Sequence, residues 1–276
     1  MTAQRRCRAR IAKRVPARPL PFARMDRLTL LADPAVRSAF GSELGRKIEY
    51  HGAIGSTQDR ARELARDGDR APTLIVADQQ TGGHGRGEKS WLSEPGGSLL
   101  ASWTFRPAPA DPALFVLLAG VAVTLALRPF GVADLGLKWP NDVWLTNGKI
   151  AGCLAHGADD HLVIGIGVNV AQRALPPELA AIATTLAISG HDIDRLALLA
   201  RITTQLDAVA DPTNRESALA EWRKRSITLG RDVEVSGTGA APFHGRAITL
   251  ADDGALVVET PYGQQRVIAG EVRVLG

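Results

Sequence analysis

Residues 135–170 read LGLKWPNDVWLTNGKIAGCLAHGADDHLVIGIGVNV, and the rhythm of this stretch decides the fold. Apolar positions recur in short runs over Gly136–Trp139, Asp142–Thr146, Lys149–His156 and Leu162–Val170, the pattern of consecutive strands. Asn147-Gly148 between two of these runs is a strong hairpin signal, because both residue types tolerate the left-handed backbone that a tight turn needs. The stretch is therefore read as a β-meander. Gly152, Gly165 and Gly167 fall inside its strands, where a missing side chain weakens the ladder. Their presence suggests a ligand or another backbone lying close above; a bulge or tight sheet packing is the alternative.

Upstream, Arg27–Phe40 has helical spacing and Lys47–His51 has the pattern of a short strand. Ser56, with Asp59 three residues on, opens a helix that runs to about Arg66. Thr73–Asp78 and Gly97–Phe105 are strands joined by a glycine-rich loop, and Asp111-Pro112 starts a core helix that reaches Leu127. Downstream, Asp194–Val209 and Glu216–Arg225 read as helices. Ile227–Leu275 holds only short strand-like runs broken by glycines, the signature of a small β-barrel. The expected architecture is α+β: a mixed-sheet domain over residues 26–225 and a barrel over 226–276, preceded by a basic tail over 1–25.

The chain has 276 residues, of which 45% are hydrophobic and 22% charged, enough to bury a substantial core. Its net charge of +4 is concentrated in the tail, where eight Lys and Arg precede Met25 without one acidic residue. Subtracting those eight leaves −4 for the body, which argues against a basic nucleic-acid face built into the fold. The longest apolar stretch, Leu114–Leu127, falls short of the roughly 20 residues of a membrane span and is read as a buried helix. The only cysteines are Cys7 and Cys153, so no disulfide framework is indicated and the cytoplasm is the expected compartment. Cys153 and His156 form a single C-x-x-H pair with no second pair at zinc spacing.

Two segments carry the chemistry. Gln80–Trp91, QTGGHGRGEKSW, combines glycines with Arg86, Lys89 and His84, and such a loop can wrap an anion with backbone N–H groups, a guanidinium fork and a point charge. It is not a Walker loop: Glu88 intrudes before Lys89-Ser90, and the following Trp-Leu-Ser-Glu-Pro-Gly-Gly cannot open the helix that a P-loop needs. The second is Lys138-Trp139-Pro140-Asn141-Asp142, a lysine at a strand end before a rigid break. A lone lysine there is ordinarily just solvated; in an apolar neighbourhood its ammonium would neutralise two approaching anions at once, as the joining of a carboxylate to the α-phosphate of ATP requires.

Taken in order, these segments resemble the biotin protein ligase family from about Ile48 to Leu275. Ser56-Thr57-Gln58 is similar to the family's Ser-Thr-Asn beside biotin, and Gln80–Trp91 to its loop over the adenylate. KWPND, KIAG and GIGVNV follow in the family's order, and Ala269-Gly270-Glu271-Val272 is similar to the end of its C-terminal, SH3-like barrel. KWPND is the most specific of these. The loop departs from the family's Gly-Arg-Gly-Arg-x-Gly-Arg: His84 and Lys89 stand in place of arginines, Gly87-Glu88 in place of x-Gly, and Gln58 in place of Asn.

The resemblance implies an ATP-dependent ligase that makes biotinyl-5'-AMP and transfers biotin to a lysine of a biotin carboxyl carrier domain. It implies a biotin pocket of Ser56, Thr57, Gln58, Gln80, Gly83, His84, Gly85, Lys138, Gly152 and Gly165, and an ATP or adenylate site of Arg86, Lys89, Trp91, Asn141 and Asn169. Lys138 and Arg86 would be catalytic, with Mg²⁺ bridging the phosphates near Asn169. Met25–Arg46 is too short for the DNA-binding module that some family members carry, so DNA is not an expected partner, and the short apolar runs make a membrane an unexpected one as well. A sheet-mediated homodimer is compatible with the sequence. A lipoate-type ligase, or a biotin-binding module that has lost catalysis, is the alternative.

Overall fold

The computed structural model describes residues 27–33, 35–36, 43–45, 47–67, 71–87, 89–109, 111–146, 148–158 and 160–275. The expected basic tail, Glu88 and Asn147 therefore lie outside the described residues. A seven-stranded sheet is built from β1 (Lys47–His51), β2 (Thr73–Ala77), β3 (Ser98–Phe105), β4 (Leu135–Lys138), β5 (Asp142–Leu145), β6 (Gly148–Ala158) and β7 (His161–Asn169). Its order is β1-β2-β3-β7-β6-β5-β4; β1 and β2 are parallel, and every other neighbouring pair is antiparallel. The meander is thus present. Leu145 pairs with Gly148 across a turn in which Thr146 takes a φ of 49°.

The two faces of the sheet are covered differently. Helix α2 (Pro112–Leu127) lies against one face beneath α3 (Arg195–Ala210), so it is enclosed on both sides and apolar all round. Trp103 from β3 reaches through this layer, its Nε1 donating to Thr203 of α3 at 3.2 Å. On the other face lies the shorter α1 (Thr57–Arg66), which buries Thr57, Ala61 and Ala65 at four-residue spacing. Ala61 meets Ile75 and Val163 in a small second core. This helix covers only part of its face, and the rest is open for a site.

Three expectations need adjustment. Arg27–Phe40 is not one helix: Arg27–Ala32 forms a 3₁₀ turn that buries Leu28 and Leu31, and residues 37–40 are outside the described set. Asp111 does not cap α2, because its carboxylate is 2.6 Å from Arg215; Pro112 still occupies the first helical turn. Helix α2 and its following turn span Pro112–Phe130, 19 residues long and apolar enough to cross a membrane, but 67% of the most apolar window is buried in the core.

Helix α4 (Arg215–Arg225) leads to a second, five-stranded antiparallel sheet of β8 (Asp232–Ser236), β9 (Phe243–Leu250), β10 (Leu256–Thr260), β11 (Gly263–Val267) and β12 (Glu271–Val274). Its order is β11-β10-β9-β8-β12, so the five expected strands form and the ladder stays open between β11 and β12. The two sheets are stitched through the KWPND segment. Ile227 N donates to Leu137 O at 3.0 Å, Trp139 N to Thr228 Oγ1 at 3.0 Å, and the Trp139 indole to Gly254 O at 3.1 Å.

Arg195, 5% exposed, closes the base of the glycine-rich loop. It donates to Asp78 Oδ1 at 2.9 Å, where the loop leaves β2, and to Ser98 O at 2.8 Å, where the loop returns as β3. The Tyr50 hydroxyl donates to the other Asp78 oxygen. Burial, then Asp78, pushes the Tyr50 phenol up to about 12, and burial brings Arg195 down to about 10. Removing one member of such a buried pair strands the other charge. Arg195→Ala is therefore expected to cost about 3–5 kcal/mol, read as a lower urea midpoint.

Candidate active site

Side-chain parity assembles the site. On β7, Val163, Gly165, Gly167 and Asn169 share the face that carries α1, while Ile164, Ile166 and Val168 enter the main core. On β6, Lys149 and Gly152 are an odd number of residues apart and would ordinarily face opposite ways. A register shift opposite Val143/Trp144 brings both to the open face. Gly152 Cβ, were it present, would lie 3.0 Å from Lys149 Nζ. Gly152 and Gly167 are direct partners across the strands, so together they leave a flat patch without side chains.

Trp91, at the end of the glycine-rich loop, lies on that patch. A Cβ on Gly167 would come within 2.6 Å of the indole, and one on Gly152 within 3.1 Å. The loop is folded under Trp91 by backbone bonds: Trp91 N donates to Gly83 O at 2.9 Å, and Gly85 N to Lys89 O at 2.6 Å. The Trp91 Nε1 donor is buried and bonded to no protein atom. The result is a cavity of about 340 Å³ between the loop, α1, the sheet and β12.

One end of the cavity is neutral and hydrogen-bonding. Gln80 Oε1 accepts from Thr57 N at 2.8 Å and Thr57 Oγ1 at 2.9 Å; Thr57 Oγ1 lies 2.8 Å from Ser102 Oγ, which donates to Gln58 Oε1 at 3.2 Å. Ser56 caps α1, its Oγ accepting from Asp59 N at 3.4 Å. Gln58 fills the space above Gly165, where a Cβ would stand only 2.0 Å from its Oε1. His84 leans outward to Asp59, with Nε2 2.7 Å from Oδ2.

The other end is cationic. Lys138, Lys149, Lys89 and Arg86 line it together with Asp142 and Glu271. Lys149 pairs with Asp142 at 2.7 Å, and Lys138 Nζ sits 5.1 Å from the centre of the Trp144 ring. Burial pulls the Lys138 ammonium below the ordinary lysine range, opposed by Asp142 and reinforced by Lys149 and Lys89. Arg86 is half-buried, which depresses its pKa, and it donates to Gly270 O at 2.6 Å. Lys89 is exposed and pairs with Glu271 at 2.6 Å, lowering that carboxyl. In this structure the loop's cations are held by the second sheet.

Asn141 and Asn169 also line the cavity, as braces. Asn141 Nδ2 donates to Cys153 O at 3.0 Å, and Asn169 Nδ2 to Thr184 O at 3.1 Å. No group of three His, Cys, Asp or Glu side chains that could hold a metal occurs among the described residues. Asn169 is thus a single neutral oxygen donor, and Asp142 is already paired with Lys149. The residues present do not fit a protein-held Mg²⁺.

Every residue expected in the biotin or nucleotide site lies at this cavity or in the loop that closes it, but several that shape it were missed. Lys149 and Asp142 stand inside the quoted motifs, and their ion pair gave no signal of its own. Ser102 had only strand parity to announce it. Leu175, Leu179 and Ile182, around the short helical turn Pro177–Ala180, form an apolar wall that has no motif.

Residues 53–169 match the biotin/lipoate A/B protein ligase family, and residues 228–275 match the biotin protein ligase C-terminal domain. A biotin–[acetyl-CoA-carboxylase] ligase of Mycobacterium tuberculosis is 31% identical over 239 residues, covering 82% of this chain and 88% of the relative. A bifunctional ligase/repressor of Bacillus spizizenii is also 31% identical, over 88% of this chain and 79% of the relative. Among solved structures, a biotin protein ligase from Aquifex aeolicus in complex with biotin and ATP superposes with a TM-score of 0.70 at 30% identity, covering 83% of this chain and 99% of that one.

The glycine patch has a direct consequence. Gly167→Ala is expected to lift Trp91 and unseat the loop at a global cost of about 1–3 kcal/mol. Hydrogen exchange should accelerate at amides 83–87 and 89–91 by more than the global cost accelerates it in α2 and α3.

Proposed function

The chain belongs to the biotin/lipoate A/B protein ligase family and acts as an ATP-dependent biotin ligase; we propose how its cavity carries out the reaction. One observation carries the reading: a neutral hydrogen-bonding end and a four-cation end share one cavity, closed by a glycine-rich loop. A bicyclic urea needs the first. A carboxylate meeting a triphosphate needs the second.

Biotin lies with its ureido ring among Ser56, Thr57, Gln58, Gln80 and the backbone of Gly83, His84 and Gly85, over Gly152 and Gly165, and its valerate points to Lys138. The nucleotide occupies the cationic end, where Arg86, Lys89, Asn141 and Asn169 surround it and the apolar wall of Leu175, Leu179 and Ile182 receives the base. Mg²⁺ arrives with ATP as part of the substrate. A biotin carboxylate oxygen attacks the α-phosphorus, the bond to the bridging oxygen breaks, and pyrophosphate leaves. Lys138 and Arg86 offset the charge that accumulates between the two anions.

The mixed anhydride is sheltered under the loop and Trp91 until the lysine of a biotin carboxyl carrier domain attacks its carbonyl carbon. AMP then leaves, and the amine loses its proton. Residues 26–225 supply the chemistry and 226–276 brace the loop through Gly270 and Glu271. The buried thiol of Cys153, pushed up to about 12 by burial, suits a reducing cytoplasm. The net charge of −4 outside the basic tail argues against DNA as a partner.

Incubation with biotin, Mg-ATP and a carrier domain should add one biotin by mass. Lys138→Ala and Arg86→Ala are each expected to slow pyrophosphate release by about a hundredfold or more. Arg86→Ala should also leak free adenylate. Wild-type rates in both would overturn this assignment of the cations, and lipoate bound in place of biotin would move the chain to the lipoate branch. Because burial lowers the Lys138 pKa, adenylation should decline as pH rises through a range below that of free lysine. Lys138→Arg, which stays charged, should lose that alkaline limb.

A further inference from the structure

Gln58 is nearly fully buried, and its amide has one satisfactory orientation. Its Nε2 faces three acceptors, His156 Nδ1 at 3.1 Å, Val163 O at 3.3 Å and Leu154 O at 3.4 Å, while Oε1 faces Ser102 Oγ at 3.2 Å. Turning the amide over would set its oxygen against two carbonyl oxygens. The two carbonyl oxygens fix the orientation, and with Nε2 facing it at 3.1 Å, His156 Nδ1 is accommodated only as an acceptor, which the Nε2–H tautomer of a neutral imidazole provides and an imidazolium cannot. Through Ser102 and Thr57, the same contacts reach Gln80.

We propose that His156 is a positioning residue for the ureido end of the biotin pocket: its neutral ring orients Gln58, and protonation turns the acceptor into a donor and disorders the pocket. The inference rests on the biotin reading above. Three charged or titratable groups face this ring or one another beside it. Arg62 and Asp59 come from α1, 3.4 Å apart, and His84 comes from the loop to Asp59. Burial, then Arg62 and His84, lowers the His156 pKa against an opposing contribution from Asp59. The ring is thus neutral near neutral pH and protonates on acidification, so the orientation is present above its folded pKa and lost below it.

Biotin affinity of the full chain, measured by calorimetry from pH about 8 to about 5.5, tests this. For the wild type, Kd should rise toward the acid end, approaching about tenfold as the ring becomes fully protonated, the worth of one buried hydrogen bond. His156→Asn, whose amide oxygen can accept without titrating, should bind as the wild type does at high pH and keep that affinity on acidification. His156→Ala should bind about tenfold more weakly throughout, with its unfolding cooperative as in the wild type. Identical pH profiles for wild type and His156→Asn would overturn the proposal by assigning the acid limb elsewhere. Full affinity in His156→Ala would also overturn it. Absence of biotin binding at every pH would instead remove the reading beneath it.

Discussion

The site depends on a single guanidinium. Arg195 reaches from α3 to the two points where the glycine-rich loop leaves and rejoins the sheet, Asp78 and Ser98, and Tyr50 completes the partners of Asp78. The loop that they anchor has few side chains to pack, and glycine has the largest backbone entropy to lose on ordering. With both ends fixed from beneath, only the intervening segment needs ordering, and the cost of closing a chain falls as its ends are brought together. The clasp lies in the buried layer, away from the cavity, so it can be rigid while the loop above moves.

Its counterpart on the cavity side is a set of contacts that are individually weak. His84 with Asp59 is a hydrogen-bonding contact and Lys89 with Glu271 an ion pair, both between largely exposed groups, the kind that contribute about 0–1 kcal/mol each. Arg86 to Gly270 is better shielded but engages a neutral carbonyl. A loop fixed at its base and lightly held at its tip opens at small cost. That suits the transfer proposed above, in which a large acceptor must reach an anhydride previously shielded from water.

Much of this was legible in the sequence, and the limits have physical causes. The meander, the core helix α2 and the five terminal strands follow from residue periodicity, because burial on one or two faces dictates it. The N-cap at Ser56 was readable; the one at Asp111 was not, because a residue distant in sequence, Arg215, takes the carboxylate. The helical spacing of Arg27–Phe40 describes a 3₁₀ turn at its start, an ambiguity of a short amphipathic run. In the site, glycines within strands correctly announced a close approach, although the first group lying on Gly167 is this chain's own Trp91. Placing Lys149 beside Gly152 required a bulge that no single-residue signal encodes.

The departures of the loop from the family pattern also change meaning once their neighbours are seen. An arginine at position 84 would offer a permanent charge and a planar fork, whereas His84 offers a compact ring, and α1 supplies Asp59 at bonding distance to receive it. Lys89 in place of arginine loses bidentate geometry, but Glu271 meets it end-on as a point charge. Both substitutions trade directional grip on a ligand for contacts within the protein. In the reaction proposed above, the charge needed between carboxylate and phosphate then falls to residues that kept their type and their burial. Lys138 and Arg86 meet both conditions, and the strand and second sheet that hold them impose that requirement on the fold.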